Sequence, residues 1–440
     1  YINDVDSDGK SFYTNLVKNI DDYSRFNLIY EYVDKSTETV QADENVSSYY
    51  QGVSEEYSVN RWMTSLGYEF DNPSSDLLVQ YAKATLFYQD SLSQDESFVD
   101  YGAIPPNTYY PGYPGKAAYT LHNDYDLEDR SKGVNVQLRS DFAGNNINHK
   151  ITYGADYSTT FNSRSRKKID ITDGTNDDDI KDSPDSDTEK YAFYVQDEMT
   201  FDNSPKWELI TGLRYDHHSI DSTDSPEYYQ TGVAEEPVDL DNGTLNPSLS
   251  VLYNLSPNLK AYGKYQRAFR NPTYAEVNTS FGNLSRGYYI ISNPDLKPES
   301  SNNYEAGLKG SYSQLDFSFA TYLSNYDDYI DGYSEVDYAA NPSVDRSLCG
   351  GPNTCDVSQY QNISEAKIWG WELNSEYKFN PNKFGLSLLT GLSYSHGDDT
   401  SNGSKEALKT IEPFKAIYGL KYVSDNDKWN IELINTYVGK

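Results

Sequence analysis

The side chains that most often carry catalysis or metal binding are few and scattered in this sequence of 440 residues. The five histidines are His122, His149, His217, His218 and His396. Adjacent residues of a strand point to opposite faces, so His217 and His218 cannot share one metal ion without a bend. No Gly-x-Ser-x-Gly, His-Glu-x-x-His or Gly-x-x-x-x-Gly-Lys motif occurs in the chain. We therefore predict no enzyme and no metal centre, and we interpret the histidines as ordinary rim residues.

Two acidic segments have the composition of a calcium site. Residues 4–9 read Asp-Val-Asp-Ser-Asp-Gly, like the first half of an EF-hand loop, but Asn15 stands where that loop needs a bidentate Glu. Residues 173–189 form a second acidic stretch. Solvated acidic loops account for both segments, which leaves calcium as the weaker alternative.

The two cysteines, Cys349 and Cys355, flank a short stretch that contains Gly-Gly-Pro-Asn and therefore predicts a loop. With no His close by, a metal site at this loop would lack its remaining ligands. We expect a small disulfide loop, which implies an oxidising compartment. Two unpaired thiols are the alternative.

Residues 262–307 are the most informative part of the chain. A strand pattern ending at Phe269 runs into 270–276, which read Arg-Asn-Pro-Thr-Tyr-Ala-Glu. A Gly-containing loop with Phe281, Tyr288 and Tyr289 follows, and then 293–299, which read Asn-Pro-Asp-Leu-Lys-Pro-Glu. Polar, aromatic and turn-forming residues thus fill one long connection between two strands.

Composition limits what such a chain can be. There are 68 acidic and 36 basic residues, giving a net charge of −32, so a nucleic-acid partner is not expected. Aromatic residues make up 15% of the chain and include 43 Tyr, which disfavours disorder. No run of about 18 apolar residues exists, so no transmembrane helix is predicted. A membrane-spanning β-barrel remains compatible with this composition.

Alternating apolar and polar residues predict roughly sixteen strand segments of about 10–15 residues each. They cover approximately 11–19, 25–35, 57–70, 76–90, 131–142, 147–161, 188–202, 206–220, 246–255, 259–269, 302–312, 314–326, 361–379, 383–396, 412–423 and 428–440. Short turn-forming spacers such as Asn203-Ser204-Pro205 alternate with long ones, which cover about 36–56, 91–130, 162–187, 221–245, 270–301, 327–360 and 397–411. Because every second connection is long, all long loops fall at one end of the sheet, as in outer-membrane barrels.

Each segment has one apolar and one polar face. Trp207, Leu209 and Leu213 alternate with Glu208 and Arg214, for example. A barrel wall with lipid outside and a wet lumen inside produces this period of two, and Tyr at the strand ends suits aromatic girdles. We therefore predict an all-β fold, a transmembrane antiparallel β-barrel. A soluble β-sandwich has the same period but does not explain the rhythm of short and long connections.

The region 262–307 resembles the barrel of TonB-dependent outer-membrane receptors. Within that family it is similar to the haem and haemoglobin receptor group, whose paired signatures are Phe-Arg-Ala-Pro and Asn-Pro-Asn-Leu. This chain reads Phe-Arg-Asn-Pro at 269–272 and Asn-Pro-Asp-Leu at 293–296, with one departure in each. Sequence patterns typical of the family also occur at 194–198, 212–216 and 362–372. The resemblance covers most of the chain, most firmly 147–440.

The resemblance implies a ligand-binding region, and it also exposes a difference. Receptors of the haem group carry a His between the two signatures that ligates haem, but 270–292 contain none. A Tyr phenolate can ligate ferric haem, and aromatic rings can stack on a porphyrin or a ring-bearing siderophore. Tyr residues of the girdle or of loop packing are the alternative reading. The candidate ligand-binding residues are Phe269, Arg270, Pro272, Tyr274, Tyr288, Tyr289, Asn293 and Pro294.

The resemblance further implies what surrounds this chain. Receptors of the family carry a TonB box and a plug domain inside a barrel of about 22 strands. Nothing in 1–440 resembles the plug, and the chain does not finish on an aromatic strand end. We interpret 1–440 as a partial barrel, without the plug and the last strands.

The expected function is active uptake of haem or an iron complex across the outer membrane of a Gram-negative bacterium. Expected partners are the TonB complex, acting through the plug, and haem, a haem protein or a siderophore, with outer-membrane lipid around the barrel. Haem or a ferric complex would be the transported ligand, and no built-in cofactor is expected. The alternatives are a receptor for a siderophore or another nutrient, a passive porin or adhesin-type barrel, and a soluble glycan-binding β-sandwich.

Overall fold

The computed structural model describes residues 4–41, 50–74, 76–106, 115–229, 236–283, 288–336, 356–381, 384–400, 406–408, 411–412, 414–425 and 428–439. It contains twenty strands and two short helices. The strands are β1 (Asp4–Asn19), β2 (Ser24–Val40), β3 (Tyr50–Asp71), β4 (Tyr81–Tyr101), β5 (Tyr119–Ala143), β6 (Ile147–Asp170), β7 (Thr175–Ile180), β8 (Asp185–Phe201), β9 (Trp207–Thr223), β10 (Leu240–Ser256), β11 (Leu259–Arg270), β12 (Phe281–Asn283), β13 (Tyr288–Ile290), β14 (Glu299–Ser311), β15 (Leu315–Glu335), β16 (Asp356–Lys378), β17 (Gly385–Asp399), β18 (Glu406–Ala407), β19 (Lys415–Val423) and β20 (Asn430–Val438). The helices are α1 (Pro226–Tyr229) and α2 (Tyr274–Asn278). Among the described residues, no helix has the length and apolar character needed to cross a membrane.

One antiparallel ladder organises the chain. Apart from four short strands, β7, β12, β13 and β18, each of the sixteen remaining strands pairs with the next in sequence order. Short turns such as 144–146 and 257–258 alternate with longer connections such as 102–118 and 271–298. Within the described ranges, the ladder begins at β1 and ends at β20 without a pairing between them. The sixteen predicted strands and the rhythm of their connections are confirmed.

The long connections are shorter than the sequence analysis expected. The predicted loop 91–130, for instance, is mostly strand, because β4 continues to Tyr101 and β5 already begins at Tyr119. The acidic residues 4–9 likewise belong to β1, and 173–189 contain β7 and the start of β8. Beyond the lipid the apolar alternation stops, yet neighbouring strands continue to satisfy each other's backbone hydrogen bonds. At the opposite end, β4 starts at Tyr81 rather than at 76.

The outward face of the wall is apolar. On the paired strands β8 and β9, Phe193 lies opposite Tyr215 and Val195 opposite Leu213, and these side chains are 37–58% exposed. A continuous apolar band on the outer surface is unfavourable in water and favourable in a bilayer. The structure is therefore the wall of a membrane-type β-barrel, as predicted.

The inward face is polar and paired within the wall. Arg25 contacts Glu69 at 2.9 Å, and Lys378 contacts Asp316 at 2.6 Å across neighbouring strands. On β9, Arg214 contacts Asp156 at 3.0 Å. The lumen therefore carries charge, much of which is compensated in place.

A small apolar core lies at the end of the wall where the long connections meet. Val277, Leu296 and Ile330 are buried together, and Val238, Leu240 and Tyr360 pack around them. Val277 and Leu296 belong to the connection 271–298 and Val238 to the connection before β10, while Leu240, Ile330 and Tyr360 lie at the ends of β10, β15 and β16. The core joins the long connections into one folded cap. Cys349 and Cys355 lie outside the described residues, so their disulfide stays a prediction.

Candidate functional site

The connection 271–298 folds back from β11 to β14 and contains the second signature segment, 293–296, and the last two residues of the first, 269–272. We call it the return loop. Its two ends meet at Arg270, which pairs in register with Glu299 across the two strands. The Arg270 guanidinium donates to Glu299 at 2.9 and 3.1 Å and to both carboxylate oxygens of Glu276 at 2.9 Å. Arg270 therefore holds the two ends of the return loop together.

Glu299 is the buried member of this group. Its side chain is 9% exposed, and Oε1 also accepts a hydrogen bond from the backbone N–H of Ile330 at 2.7 Å. A buried carboxylate needs a charged partner and full hydrogen bonding to be tolerated. Arg270 supplies that partner, so its signature position serves loop structure directly.

Helix α2 begins with a capping box. Thr273 accepts a hydrogen bond from the backbone N–H of Glu276, and the Glu276 side chain accepts one from the backbone N–H of Thr273 at 2.8 Å. This reciprocal arrangement satisfies backbone donors that a helix start leaves unpaired. Because Glu276 also contacts Arg270, the helix start is fixed to the strand that precedes it.

Two asparagines attach the return loop to neighbouring connections. Asn278 is fully buried and exchanges two hydrogen bonds with the backbone of Val238, at 2.7 and 2.9 Å. Asn293 donates to the backbone carbonyl of Tyr360 at 2.7 Å. The predicted ligand contact Asn293 is thus engaged in loop structure, whereas Pro294 beside it is exposed.

The candidate aromatic residues differ strongly in accessibility. Tyr289 is 1% exposed, on a strand that pairs in parallel with β16, so it presents no ligand surface in this structure. Tyr288 is 37% exposed and lies beside Phe281, with ring centroids 6.2 Å apart. Burial raises the pKa of the Tyr274 phenol to about 12, so the phenolate form that ligates iron is further disfavoured at this position.

The return loop lies over the inner wall of the barrel. The Arg166 guanidinium on β6 lies 4.5 Å from the centroid of the Phe281 ring and 5.6 Å from that of Tyr125. Such cation–π contacts favour a defined loop position. The loop therefore reaches from β11 across to β6.

A cavity of about 740 Å³ lies between this loop and the wall. Its volume falls in the range of small-molecule sites. It is lined by Asn135, Asp156, Ser158, Thr160, Asn162, Thr188, Lys190, Tyr191, Ala192, Arg214, Asp216, His217, His218, Phe269, Arg270, Asn271, Pro272, Thr273 and Tyr274. We call it the lumen cavity. Four predicted site residues line it, namely Phe269, Arg270, Pro272 and Tyr274, while the other four lie in the returning half of the loop.

The sequence analysis treated His217 and His218 as equivalent rim residues, but the structure separates them. His217 stacks on Tyr191, with ring centroids 4.5 Å apart, and lies 3.1 Å from Asp241. His218 is 5% exposed and shares the inward face with Asp216 and Arg214. Their alternation is a signal that could have assigned His218 to the lumen from sequence.

A curved antiparallel wall with an apolar exterior, a charged interior and long connections at one end defines the class of outer-membrane-type β-barrels. A family model described as "TonB dependent receptor-like, beta-barrel" matches residues 7–440. The chain belongs to this family, and the predicted resemblance is confirmed.

Several relatives found by sequence comparison have names that refer to haem or to haem proteins. The chain is 29% identical over 263 residues to "Hemoglobin-haptoglobin utilization protein B" of Neisseria meningitidis serogroup A, covering 56% of this chain and 32% of that protein. It is 28% identical over 275 residues to "Hemin receptor" of Yersinia enterocolitica, covering 58% of this chain and 36% of that protein. The matched region is about a third of each of these relatives.

A solved structure of a transporter has the same fold. The ferric citrate transporter FecA in its unliganded form superposes with a TM-score of 0.64 at 15% identity, covering 98% of this chain and 57% of that one. At this identity the similarity concerns architecture alone.

Proposed function

We propose that this chain is the barrel part of an outer-membrane receptor that takes up haem, either free or from a haem protein. The observation that carries the proposal is the pair of relatives named for haemoglobin–haptoglobin utilisation and for hemin, together with the signature segments at 269–272 and 293–296. The expected location is the outer membrane of a Gram-negative bacterium, with lipid against the apolar outer face. The expected energy source is the TonB complex, acting through a plug domain.

In this proposal the return loop forms one side of the entry to the lumen. Arg270, Glu276 and Glu299 fix its ends, so the exposed ring of Tyr288 is held near Phe281 rather than left to sample many positions. Preorganised aromatic rings bind a flat ligand with less loss of conformational entropy. Tyr288 would stack on an arriving porphyrin or ligate its iron, and the lumen cavity would receive the ligand next.

A receptor for another iron complex is the second candidate. It is supported by the shared fold with the ferric citrate transporter and by the lack of a His in 270–292. A passive porin would have the same wall, but the family assignment favours a gated receptor over it.

Haemin titration of the intact protein in detergent tests the proposal. A saturable shift of the Soret band is expected for the wild type, and ferric citrate should not displace the haemin. Tyr288→Phe should weaken binding, because it removes the only phenol oxygen of an exposed ring among the described residues of the return loop. The matched control is Tyr304→Phe, an exposed ring on the outer face of β14. An unshifted Soret band in the wild type would refute haem as the ligand.

A further inference from the structure

His218 lines the lumen cavity and is buried to 95% of its surface, with 5% exposed. Its Nδ1 atom is buried and forms no hydrogen bond with any protein group that the structure describes. An unpaired buried polar atom costs about 1–3 kcal/mol, so packing alone does not explain an imidazole at this position. A ligand that uses the imidazole would explain it.

The surroundings of His218 are polar and equally incomplete. Its partners in the ladder are Lys190 on β8 and Asn242 on β10. The Nδ1 of His217 and the Oδ1 of Asn271, which both line the same cavity, are also buried without a hydrogen-bond partner among the described residues, as is the Nδ2 of Asn242 in the ladder. Several unmet polar atoms around one cavity indicate a place for a polar ligand rather than a single packing defect.

A bare metal ion does not fit this site. The described residues contain no group of three or more His, Cys, Asp or Glu side chains that could hold one. A single imidazole is sufficient, however, for an iron that brings its own four equatorial nitrogen donors, as haem does. The lumen cavity is also large enough for such a ligand to reach the wall.

The cations that line the cavity are not equivalent. Arg214 is engaged by Asp156 and Asp216, and Arg270 by Glu276 and Glu299. Lys190 is exposed, and no carboxylate of the described residues lies within 4.0 Å of its Nζ. Lys190 can therefore pair with a carboxylate of a ligand without first breaking an ion pair.

We propose that His218 is an axial ligand to the iron of haem held in the lumen cavity, and that Lys190 pairs with a haem carboxylate. This inference rests on the proposed function, because it assumes haem as the transported ligand. It places the iron ligand on the barrel wall, beneath the return loop, rather than within the loop itself. Tyr288 would then act at entry and His218 at a later position on the path.

The test compares ferric haemin binding by the intact protein and its variants in detergent, followed by the Soret and visible bands and by electron paramagnetic resonance. His218→Ala should weaken haemin binding about 10-fold or more and change the spin-state signature, since a metal–ligand bond is lost. His149→Ala is the matched control, because this imidazole lies on β6 away from the residues that line the lumen cavity and is paired with Asp197 at 2.7 Å. It should leave both the affinity and the spectrum unchanged.

Metal-free protoporphyrin provides the second measurement. His218→Ala should not change its affinity, because no iron is present to be ligated, and this result would show that the variant retains a folded cavity. Lys190→Met should weaken both haemin and metal-free protoporphyrin by about 5-fold, as expected for one ion pair.

The outcomes separate the two proposals. Wild-type binding that His218→Ala leaves unchanged in affinity and spectrum would overturn the role of His218, while the proposed function would stand. Equal losses of affinity for haemin and for metal-free protoporphyrin in His218→Ala would also overturn the role of His218 as an iron ligand, since they would indicate a packing role. No binding of haemin by the wild type would overturn the proposed function and this inference together.

Discussion

The return loop and the inner wall on β8 and β9 line the same cavity but differ in how their cations and buried side chains are paired. In the loop, Arg270 has two carboxylate partners, and Asn278 is bonded through its oxygen and its nitrogen, although Asn271 Oδ1 is buried without a partner among the described residues. On the wall, His218 lies buried with an unpaired nitrogen, beside an exposed Lys190. Complete pairing is a sign of a structural role, and unmet polar groups at a cavity are a sign of a binding role.

This difference changes how the signature segments are understood. The sequence motif at 269–299 suggested direct ligand contacts, yet several of its residues hold the loop in place. Tyr288 stays exposed in the loop, while His218 and Lys190, which line the cavity, lie on ordinary strands without any motif.

Replacement of Arg270 should loosen the return loop most. Arg270→Ala leaves the buried Glu299 carboxylate without its charged partner, at a local cost of about 3 kcal/mol. Hydrogen exchange of the backbone amides in 274–278 should become faster by roughly 100-fold. Arg267→Ala, on the same strand, is the control and should have little effect. Unchanged protection in Arg270→Ala would show that the ion pairs do not hold the loop.

Replacement of Asn278 should cause the next largest loss of local stability in the return loop. Asn278→Ala leaves the backbone N–H and carbonyl of Val238 without their partners, which should cost about 2 kcal/mol locally. Limited proteolysis of the intact receptor should then cut the connection between β9 and β10 faster than in the wild type. The comparison variant Asn325→Ala, on β15, should be cut at the wild-type rate. Equal rates for both variants would contradict an anchoring role for Asn278.

The capping residue of α2 should contribute less than Arg270 or Asn278 to the local stability of the return loop. Thr273→Ala removes the side chain that accepts from the Glu276 N–H and should cost about 1 kcal/mol. Thr273→Ser keeps the hydroxyl and should restore most of the protection against hydrogen exchange in α2. A serine variant no better than the alanine variant would argue against capping as the reason for this residue.

Wall residues should leave the loop unchanged. Lys190→Met should change the free energy of local opening, measured by hydrogen exchange in 274–278, by less than about 0.5 kcal/mol. The reason is that Lys190 has no ion pair with the loop. Its effect should appear in ligand affinity instead. Faster hydrogen exchange of the loop amides in Lys190→Met would show that the stability of the return loop depends on the wall residue Lys190.

Much of the architecture could be predicted from sequence because its signals are local. Alternation along each strand follows from the pleat of the backbone, and turn formers such as Asn203-Ser204-Pro205 mark the short ends. The outer parts of β4 and β5 were missed, because solvated strands carry no apolar alternation. Only pairing with neighbouring strands shows that Leu121 to Arg130 are extended.

The candidate site was predictable in part. Phe269, Arg270, Pro272 and Tyr274 do line the cavity, but the sequence could not show that Tyr289 is buried or that Arg270 is occupied by two carboxylates. Those properties depend on residues such as Glu299 and Val357, which are distant along the chain. Local sequence carries no information about which partners a folded loop will meet.

By itself, the sequence determined the strands, their two faces and the family, since each of these depends on near neighbours or on a recognisable motif. The tertiary structure alone decided which polar side chains are satisfied. His217 and His218 are adjacent and chemically identical, yet one stacks on Tyr191 and the other is buried beside Lys190. The reason is physical: His218 lies on the same face as Arg214 and Asp216, toward the cavity, where the neighbouring strands cover it, while the His217 ring keeps a partly exposed position against Tyr191.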